Sequence, residues 1–91
     1  MKKNYVILPV YNDWDSLKKV LEILNQSFKT LKSNNFIIIV NDFFSKKLIL
    51  NKKYSYLKKI NVLNLSKNVG SQKAIFFGLK YLKKIIKRKD K

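Results

Sequence analysis

The sequence contains neither cysteine nor histidine among its 91 residues. The missing cysteine excludes disulfides and thiolate metal sites. The missing histidine removes the commonest general base and the commonest protein metal ligand. Because only 5 residues are acidic, a metal ion would have to depend on few carboxylates and on oxygen atoms of a partner.

The charged residues are almost all of one sign and one type. Lys and Arg number 21, the formal net charge is +16, and Arg88 is the only arginine. Such a charge is compatible with nucleic acid, an anionic membrane surface or a phosphorylated substrate. Proteins that read nucleic acid usually use Arg for bidentate contacts, so an excess of Lys, Asn and Ile is more typical of an AT-rich coding bias. We therefore disfavour nucleic acid as the partner and leave a weak contact with an anionic membrane open.

The apolar content, 46% hydrophobic residues, is sufficient for the core of one small domain. No apolar run reaches the length of about 18 residues that spans a bilayer. The basic start, Met1-Lys2-Lys3, is followed by an apolar run that is too short for a signal peptide. We expect a single domain over residues 1–91 in the cytoplasm, with the inner face of the membrane as an alternative position.

Two apolar segments without alternation, Tyr5–Leu8 and Phe36–Val40, predict strands that are buried on both faces of a sheet. Ile60–Leu65, in which four of the six residues are apolar, predicts a third strand. Pro9 cannot donate a hydrogen bond to a neighbouring strand, so it predicts the end of the first strand. The polar run Ser33–Asn35 predicts a stop before the second strand.

Helical periodicity predicts α-helices over Asp15–Lys32 and Ser71–Lys87, and a weaker helical pattern lies within Phe43–Lys59. Gly78 lies inside the last helix, where it costs about 1 kcal/mol relative to Ala, which indicates close packing on the sheet. Strands that alternate with helices predict right-handed parallel units. The fold class is therefore α/β, with three layers, a parallel three-stranded sheet and βαβαβα order.

Polar residues follow each predicted strand, in the runs Asn12-Asp13, Asn41-Asp42 and Asn68–Gln72. The carboxyl ends of parallel strands meet at one edge of a sheet, where α/β proteins bind their ligands. Amides and carboxylates suit ribose hydroxyls and base edges, and the starts of helices suit phosphate. The sequence therefore predicts a nucleotide site at this edge.

These residues resemble a family. The motifs Pro9-Val-Tyr-Asn12 followed by an acid, Ile39-Val-Asn-Asp42, and Asn68-Val-Gly70 look like the amino-terminal half of a family 2 glycosyltransferase with the GT-A fold. The resemblance covers about residues 4–82, and the run 68–78 is similar to members that transfer sugars to polyprenyl phosphates. It implies a Rossmann-like domain that binds a UDP- or GDP-linked sugar for transfer to a lipid phosphate or a glycan.

By this resemblance, eight residues frame the nucleotide-sugar pocket: Pro9, Tyr11, Asn12, Asp13, Asp42, Asn68, Gly70 and Lys73. Asp42 would accept hydrogen bonds from the nucleoside, and Lys73 would lie near the phosphates. Purely structural roles remain as alternatives, because Asp13 can cap a helix, Asp42 can form an Asx-turn and Gly70 can turn the chain.

The sequence also departs from the family. The family's next strand ends in an Asp-x-Asp motif that holds Mg²⁺ or Mn²⁺, whereas Asp13 and Asp15 have that spacing in the wrong loop. Phe43-Phe44 stands where small residues are usual, and Asn41 stands where Asp is common. We therefore expect a truncated domain with no catalytic residue and no metal or other cofactor bound by this chain, the metal being expected only in a full-length relative.

Two functions follow from these expectations. The first is the donor-binding part of a glycosyltransferase, inactive alone, whose metal motif comes from a downstream segment or a second chain. The alternative is a non-catalytic basic module that binds nucleotide, nucleic acid or anionic membrane.

Overall fold

The computed structural model describes residues 2–11, 13–31, 33–42, 50 and 53–89, with side chains as far as residue 86. Strand β1 covers Lys2–Val10, helix α1 Trp14–Ser27, strand β2 Ser33–Asn41, strand β3 Lys59–Asn64 and helix α2 Ser71–Lys89. A short 3₁₀ turn, Phe28–Thr30, follows α1. The strands form one parallel sheet in the order β1-β2-β3, so the predicted three-stranded parallel α/β fold is confirmed.

The central strand β2 is covered on both faces. Ile37 and Ile39 belong to the hydrophobic cluster that α1 completes. Ile38 and Val40 point to the opposite face, where they share a cluster with Ala74 of α2. A strand that is buried on both faces needs apolar residues at every position, which explains why this segment does not alternate. The helices therefore form the outer layers of a three-layer domain.

The prediction that the first strand ends at Pro9 is wrong. β1 continues to Val10, and Pro9 and Val10 pair with Val40 and Asn41. The Val10 carbonyl accepts a hydrogen bond from the Asp42 N–H at 2.8 Å, so the backbone groups of Val10 face β2. The backbone groups of Pro9 face the opposite side of β1, away from β2, because successive residues alternate. Within the described residues no strand pairs with that edge, and a proline is tolerated there because no donor is required.

The second strand begins earlier than predicted, because Ser33–Asn35 belongs to it rather than forming a stop. An amide network stabilises this polar segment. Asn4 Nδ2 donates to Ser33 Oγ and to Asn35 Oδ1, both at 3.1 Å, and Asn35 Nδ2 donates to the Tyr56 carbonyl at 3.2 Å. Asn35 is only 2% exposed, and these partners satisfy its amide in the interior.

The predicted helix within Phe43–Lys59 is absent from its described part, where residues 54–57 form a turn. The Leu57 N–H donates to the Tyr54 carbonyl at 3.1 Å, and the Tyr56 N–H donates to Asn25 Oδ1 at 2.8 Å. The N–H and carbonyl groups of Tyr56 are therefore hydrogen-bonded to the side chains of Asn25 in α1 and Asn35 in β2. In a helix, the same two groups would bond to the backbone. Tyr54 and Leu57 are nevertheless buried in the hydrophobic cluster on the α1 side of the sheet. Residues 43–49, 51 and 52 of this prediction lie outside the described residues.

The other boundaries differ by a few residues. α1 ends at Ser27 instead of Lys32, β3 covers Lys59–Asn64, and α2 extends to Lys89. A Cβ atom at Gly78 would lie 2.7 Å from Ile7 Cγ2 and 3.0 Å from Val40 Cγ2. The predicted close packing of the last helix on the sheet is therefore confirmed.

Candidate functional site

The carboxyl end of the sheet brings the loops after the three strands together. Val10 pairs with Asn41, so Tyr11 and Asp42 leave adjacent strands at the same level. The Leu65 N–H donates to the Asn41 carbonyl at 2.9 Å, which joins the loop after β3 to the end of β2. The polar residues that follow the three strands therefore lie at one edge of the sheet, as the parallel topology requires.

Asp42 holds the loop between β3 and α2 through two backbone amides. Its Oδ1 accepts a hydrogen bond from the Val69 N–H at 2.7 Å, and its Oδ2 accepts one from the Gly70 N–H at 2.9 Å. Asp42 is only 3% exposed. Hydrogen bonds to an ionised carboxylate are stronger than neutral ones, so this contact fixes the loop against the end of β2. It joins residues that are distant in sequence and differs from the local Asx-turn considered as an alternative.

The loop that Asp42 holds leads directly into α2. Gly70 has φ +88°, a left-handed conformation that glycine adopts without strain, and the predicted turn is therefore confirmed. Asn68 Oδ1 accepts a second hydrogen bond from the Gly70 N–H at 3.0 Å. The Gly70 carbonyl accepts the Ala74 N–H at 2.9 Å, which starts the helical hydrogen bonding. Lys73 is exposed in the first turn of α2.

The loop after β1 begins α1. Asp13 Oδ1 accepts a hydrogen bond from the Ser16 N–H at 3.0 Å, so Asp13 is the N-cap of this helix. Hydrogen bonds from the Ser16 side chain and backbone, together with the charge of Lys19, lower the pKa of Asp13. The capping role considered for Asp13 is therefore present. Tyr11 is 56% exposed, whereas Asn12 lies outside the described residues.

A cavity of about 210 Å³ lies between β1 and α1 at this end of the sheet. It brings three of the predicted residues, Pro9, Tyr11 and Asp13, to one place. Its lining is Leu8, Pro9, Val10, Tyr11, Asp13, Ser16, Leu17 and Val20. The predicted site residues therefore fall into two described groups, one at this cavity and one around Asp42, with Lys73 on the first turn of α2.

Sequence reasoning missed two contacts in this region, although it placed Asn41 there. Val69 binds Asp42 through its backbone N–H, and backbone donors carry no side-chain signal in a sequence. Asn41 Nδ2 donates to Asn64 Oδ1 at 2.8 Å, a side-chain contact between the ends of β2 and β3. Polar residues at the ends of two neighbouring strands are the sequence signal that could have predicted this contact between Asn41 and Asn64.

Acidic side chains are sparse in the described part of the chain. There, no group of three or more Asp, Glu, His or Cys residues could hold a metal ion. The described residues therefore offer no cluster of carboxylates that fits Mg²⁺ or Mn²⁺. In the same described residues, no helix is both long and apolar enough to cross a membrane.

The parallel sheet, its covering helices and the ligand-prone loops at its carboxyl end define a Rossmann-like α/β domain. The family model of glycosyl transferase family 2 matches residues 5–84, and the chain belongs to this family. An uncharacterized glycosyltransferase of Synechocystis sp. is 32% identical over 78 residues, which cover 84% of this chain and 24% of that protein. The chain thus spans about a quarter of the length of this relative. No solved structure matches.

Proposed function

We propose that this chain is the donor-binding portion of a glycosyltransferase and holds the nucleotide of a UDP- or GDP-linked sugar. The main observation behind the proposal is that the polar loops after β1, β2 and β3 lie together at the carboxyl end of the sheet. The chain also belongs to glycosyl transferase family 2. Open α/β sheets bind ligands at this edge. A nucleotide sugar is the donor that membership of the family implies.

The first group of residues would receive the nucleoside. Tyr11 offers an exposed ring beside the cavity that Pro9 and Asp13 also line, and an aromatic ring can stack on any nucleobase. Asn12, which lies outside the described residues, follows Tyr11 in sequence. Its amide would add a donor and an acceptor for base or ribose.

The second group would align the rest of the nucleotide. Asp42 has about four acceptor positions on its two oxygens, of which the Val69 and Gly70 amides use two. The remaining positions would accept hydrogen bonds from the nucleoside, and Asn68 would lie alongside. Lys73 and the start of α2 would face the diphosphate, because positive charge and helix amino termini attract phosphate.

The acceptor in this proposal is a lipid phosphate, of the polyprenyl phosphate kind, or a glycan, reached from the cytoplasm. In this proposal the 91-residue chain does not transfer sugar by itself. Its described residues contain no group of three or more Asp, Glu, His or Cys side chains that could hold a metal ion. A downstream segment or a second chain would supply those ligands. No step of the proposal passes through a metal held by this chain.

Binding of UDP and GDP to the purified chain tests the proposal. Titration calorimetry should detect binding of at least one of the two, and Tyr11→Ala should weaken it about tenfold, because base stacking contributes about 1–3 kcal/mol. Tyr56→Ala is the matched control, since Tyr56 is also an exposed tyrosine but lies in the turn at the other end of the sheet. The absence of binding by the unmodified chain, or equal losses in the two variants, would contradict the proposal.

The alternative is a non-catalytic module that binds nucleotide without serving sugar transfer. Its supporting observation is the net charge of +16, which favours anions of every kind. In that case nucleotide affinity falls steeply with ionic strength and does not depend on Tyr11. The same titration at two salt concentrations therefore distinguishes the two functions.

A further inference from the structure

The outer face of α2 combines exposed apolar and basic side chains. The helix is buried along Ala74 and Gly78, which face the sheet. On the side away from the sheet, Phe76 is 56% exposed and Leu79 is 52% exposed. Ile75 and Ile86 are partly exposed on the flank of Leu79, and Phe77 is partly exposed on the opposite flank. Phe76 and Leu79, three residues apart, share one helix face, and large apolar side chains that are exposed together are characteristic of an interaction surface.

Lysines frame these apolar residues. Lys73, Lys80, Lys83 and Lys84 are exposed, and the spacing of three, four or seven residues places Lys73, Lys80 and Lys83 beside Phe76 on the helix. The sequence of α2 contains seven basic residues and no acidic residue. We define the outer face of α2 as Phe76, Leu79, Lys80 and Lys83. Its charge is complementary to an anionic partner that also has an apolar part.

The arrangement around Phe76 favours lipid over nucleic acid. Lys80 Nζ lies 5.4 Å from the centroid of the Phe76 ring, and the Phe77 ring meets it edge to face with centroids 6.0 Å apart. A nucleobase that stacks needs an uncovered ring face, and Lys80 lies over one of the two faces of the Phe76 ring. The other strongly exposed apolar residue, Leu79, has no ring for stacking but can enter a hydrocarbon layer.

We propose that the outer face of α2 binds the surface of a membrane that contains anionic lipid. Phe76 and Leu79 enter the boundary between headgroups and acyl chains, and Lys80 and Lys83 contact headgroup phosphates. The helix then lies in the plane of the membrane surface. This inference does not depend on nucleotide binding, because none of these four residues belongs to the predicted nucleotide site.

The position of α2 determines how far the proposed membrane contact lies from the carboxyl end of the sheet. The helix begins at Ser71, directly after the loop that Asp42 holds. From Phe76 to Lys83 the face is about 10 Å long at 1.5 Å per residue. Gly70, in the loop at the carboxyl end of the sheet, precedes Phe76 by six residues, which is about 9 Å along the helix axis.

Vesicle flotation with the whole chain tests the inference. The probes are vesicles of phosphatidylcholine with phosphatidylglycerol and vesicles of phosphatidylcholine alone, and only the first should carry the protein. The double variant Lys80→Gln and Lys83→Gln should lose about 25-fold in affinity, at about fivefold for each lysine near an anionic surface. Phe76→Ser should lose about tenfold, because a large apolar side chain no longer leaves water.

Matched controls come from α1 and the turn after it. Ile23 is 64% exposed on α1, and Lys19 and Lys29 are exposed. Ile23→Ser and the double variant Lys19→Gln and Lys29→Gln change the same residue types at other places. Both controls should float like the unmodified protein. Circular dichroism should show the same helix content in all variants, since each altered side chain is exposed.

Three results would overturn the inference. Equal losses in the α2 variants and their controls would indicate diffuse charge attraction without a defined face. Unchanged flotation of Phe76→Ser would exclude insertion. Binding of a single-stranded oligonucleotide that depends on Phe76 and displaces the vesicles would assign the face to nucleic acid. Nucleotide binding by Phe76→Ser should remain intact, which separates this test from that of the proposed function.

Discussion

Gly78→Ala should change the free energy of unfolding in two opposite ways, through helix propensity and through packing against the sheet. In an exposed helix the change stabilises by about 1 kcal/mol, because alanine has the higher propensity. At Gly78 the added Cβ would lie 2.7 Å from Ile7 Cγ2 and 3.0 Å from Val40 Cγ2. Carbon atoms in contact prefer about 3.5–4.0 Å, so the nearer methyl must move by roughly 0.8 Å.

The packing effect should be larger than the gain in propensity. Overpacking a core costs about 1–3 kcal/mol, and here both contacted side chains are β-branched and stand on adjacent strands of the sheet. Val40 is fully buried, which leaves it little room to move. We therefore take the upper part of that range, about 2–3 kcal/mol, and expect the free energy of unfolding to fall by about 1–2 kcal/mol after the gain in propensity of about 1 kcal/mol is subtracted.

Urea unfolding followed by circular dichroism measures this change. The neighbouring exposed residue provides the reference, because Leu79→Ala and Leu79→Gly differ in helix propensity without a new contact. Leu79→Ala should be more stable than Leu79→Gly by about 1 kcal/mol, while Gly78→Ala should lower the midpoint of unfolding. The slope of the transition should be unchanged if the folded state keeps its compactness.

A second substitution at the contacted side chain identifies the cause. Ile7→Leu removes the Cγ2 methyl that the new Cβ would meet, so the double variant should be more stable than the sum of the single changes predicts. A coupling free energy of about 1 kcal/mol is expected for residues in contact. A raised midpoint in Gly78→Ala, or additive effects in the double variant, would refute the packing argument.

Three further predictions follow from the polar contacts. Asp42→Ala should lower the free energy of unfolding by about 2–4 kcal/mol and speed hydrogen exchange at the Val69 and Gly70 amides, because two hydrogen bonds to a carboxylate are lost; unchanged exchange rates would contradict this. Asn35→Ala should lower the free energy of unfolding, measured in urea, by about 2 kcal/mol, since the hydrogen bonds of the buried Asn35 amide are lost. A free energy of unfolding equal to that of Asn34→Ala would exclude this contribution. Asp13 has a lowered pKa, so its stabilisation is present above the unfolded value of 3.8 and is lost as the pH falls through the folded value. The stability difference between the unmodified protein and Asp13→Asn should therefore shrink on acidification, and a constant difference would contradict the lowered pKa of Asp13.

The fold was predictable where local sequence and tertiary contacts agree. The apolar run of β2 indicated burial on both faces, and Gly78 indicated close approach of α2 to the sheet. The errors lie where distant side chains decide the backbone. Pro9 stays in a strand because its edge has no partner in the described sheet, and Asn25 and Asn35 bind the backbone of Tyr56 in place of a helix.

The candidate site was predictable in its position and less so in its contacts. Parallel topology alone places the loops after β1, β2 and β3 at one edge. The use of both Asp42 oxygens by backbone amides of the next loop could not be predicted, because any residue except proline supplies such an amide. This contact changes the design of mutational tests, since removal of Asp42 perturbs the loop as well as any ligand.

The position of Pro9 limits how far an additional strand can align with β1. The outer edge of β1 presents backbone N–H groups at Lys3, Tyr5 and Ile7 but none at Pro9, since the backbone groups of alternate residues face β2. An added strand could therefore accept hydrogen bonds from the first part of β1 but would find no donor at Pro9, so its pairing with β1 is weakest there. That point coincides with the cavity beside Tyr11. Pro9 thus permits a further strand to pair with the first part of β1, while the carboxyl end of the sheet stays accessible.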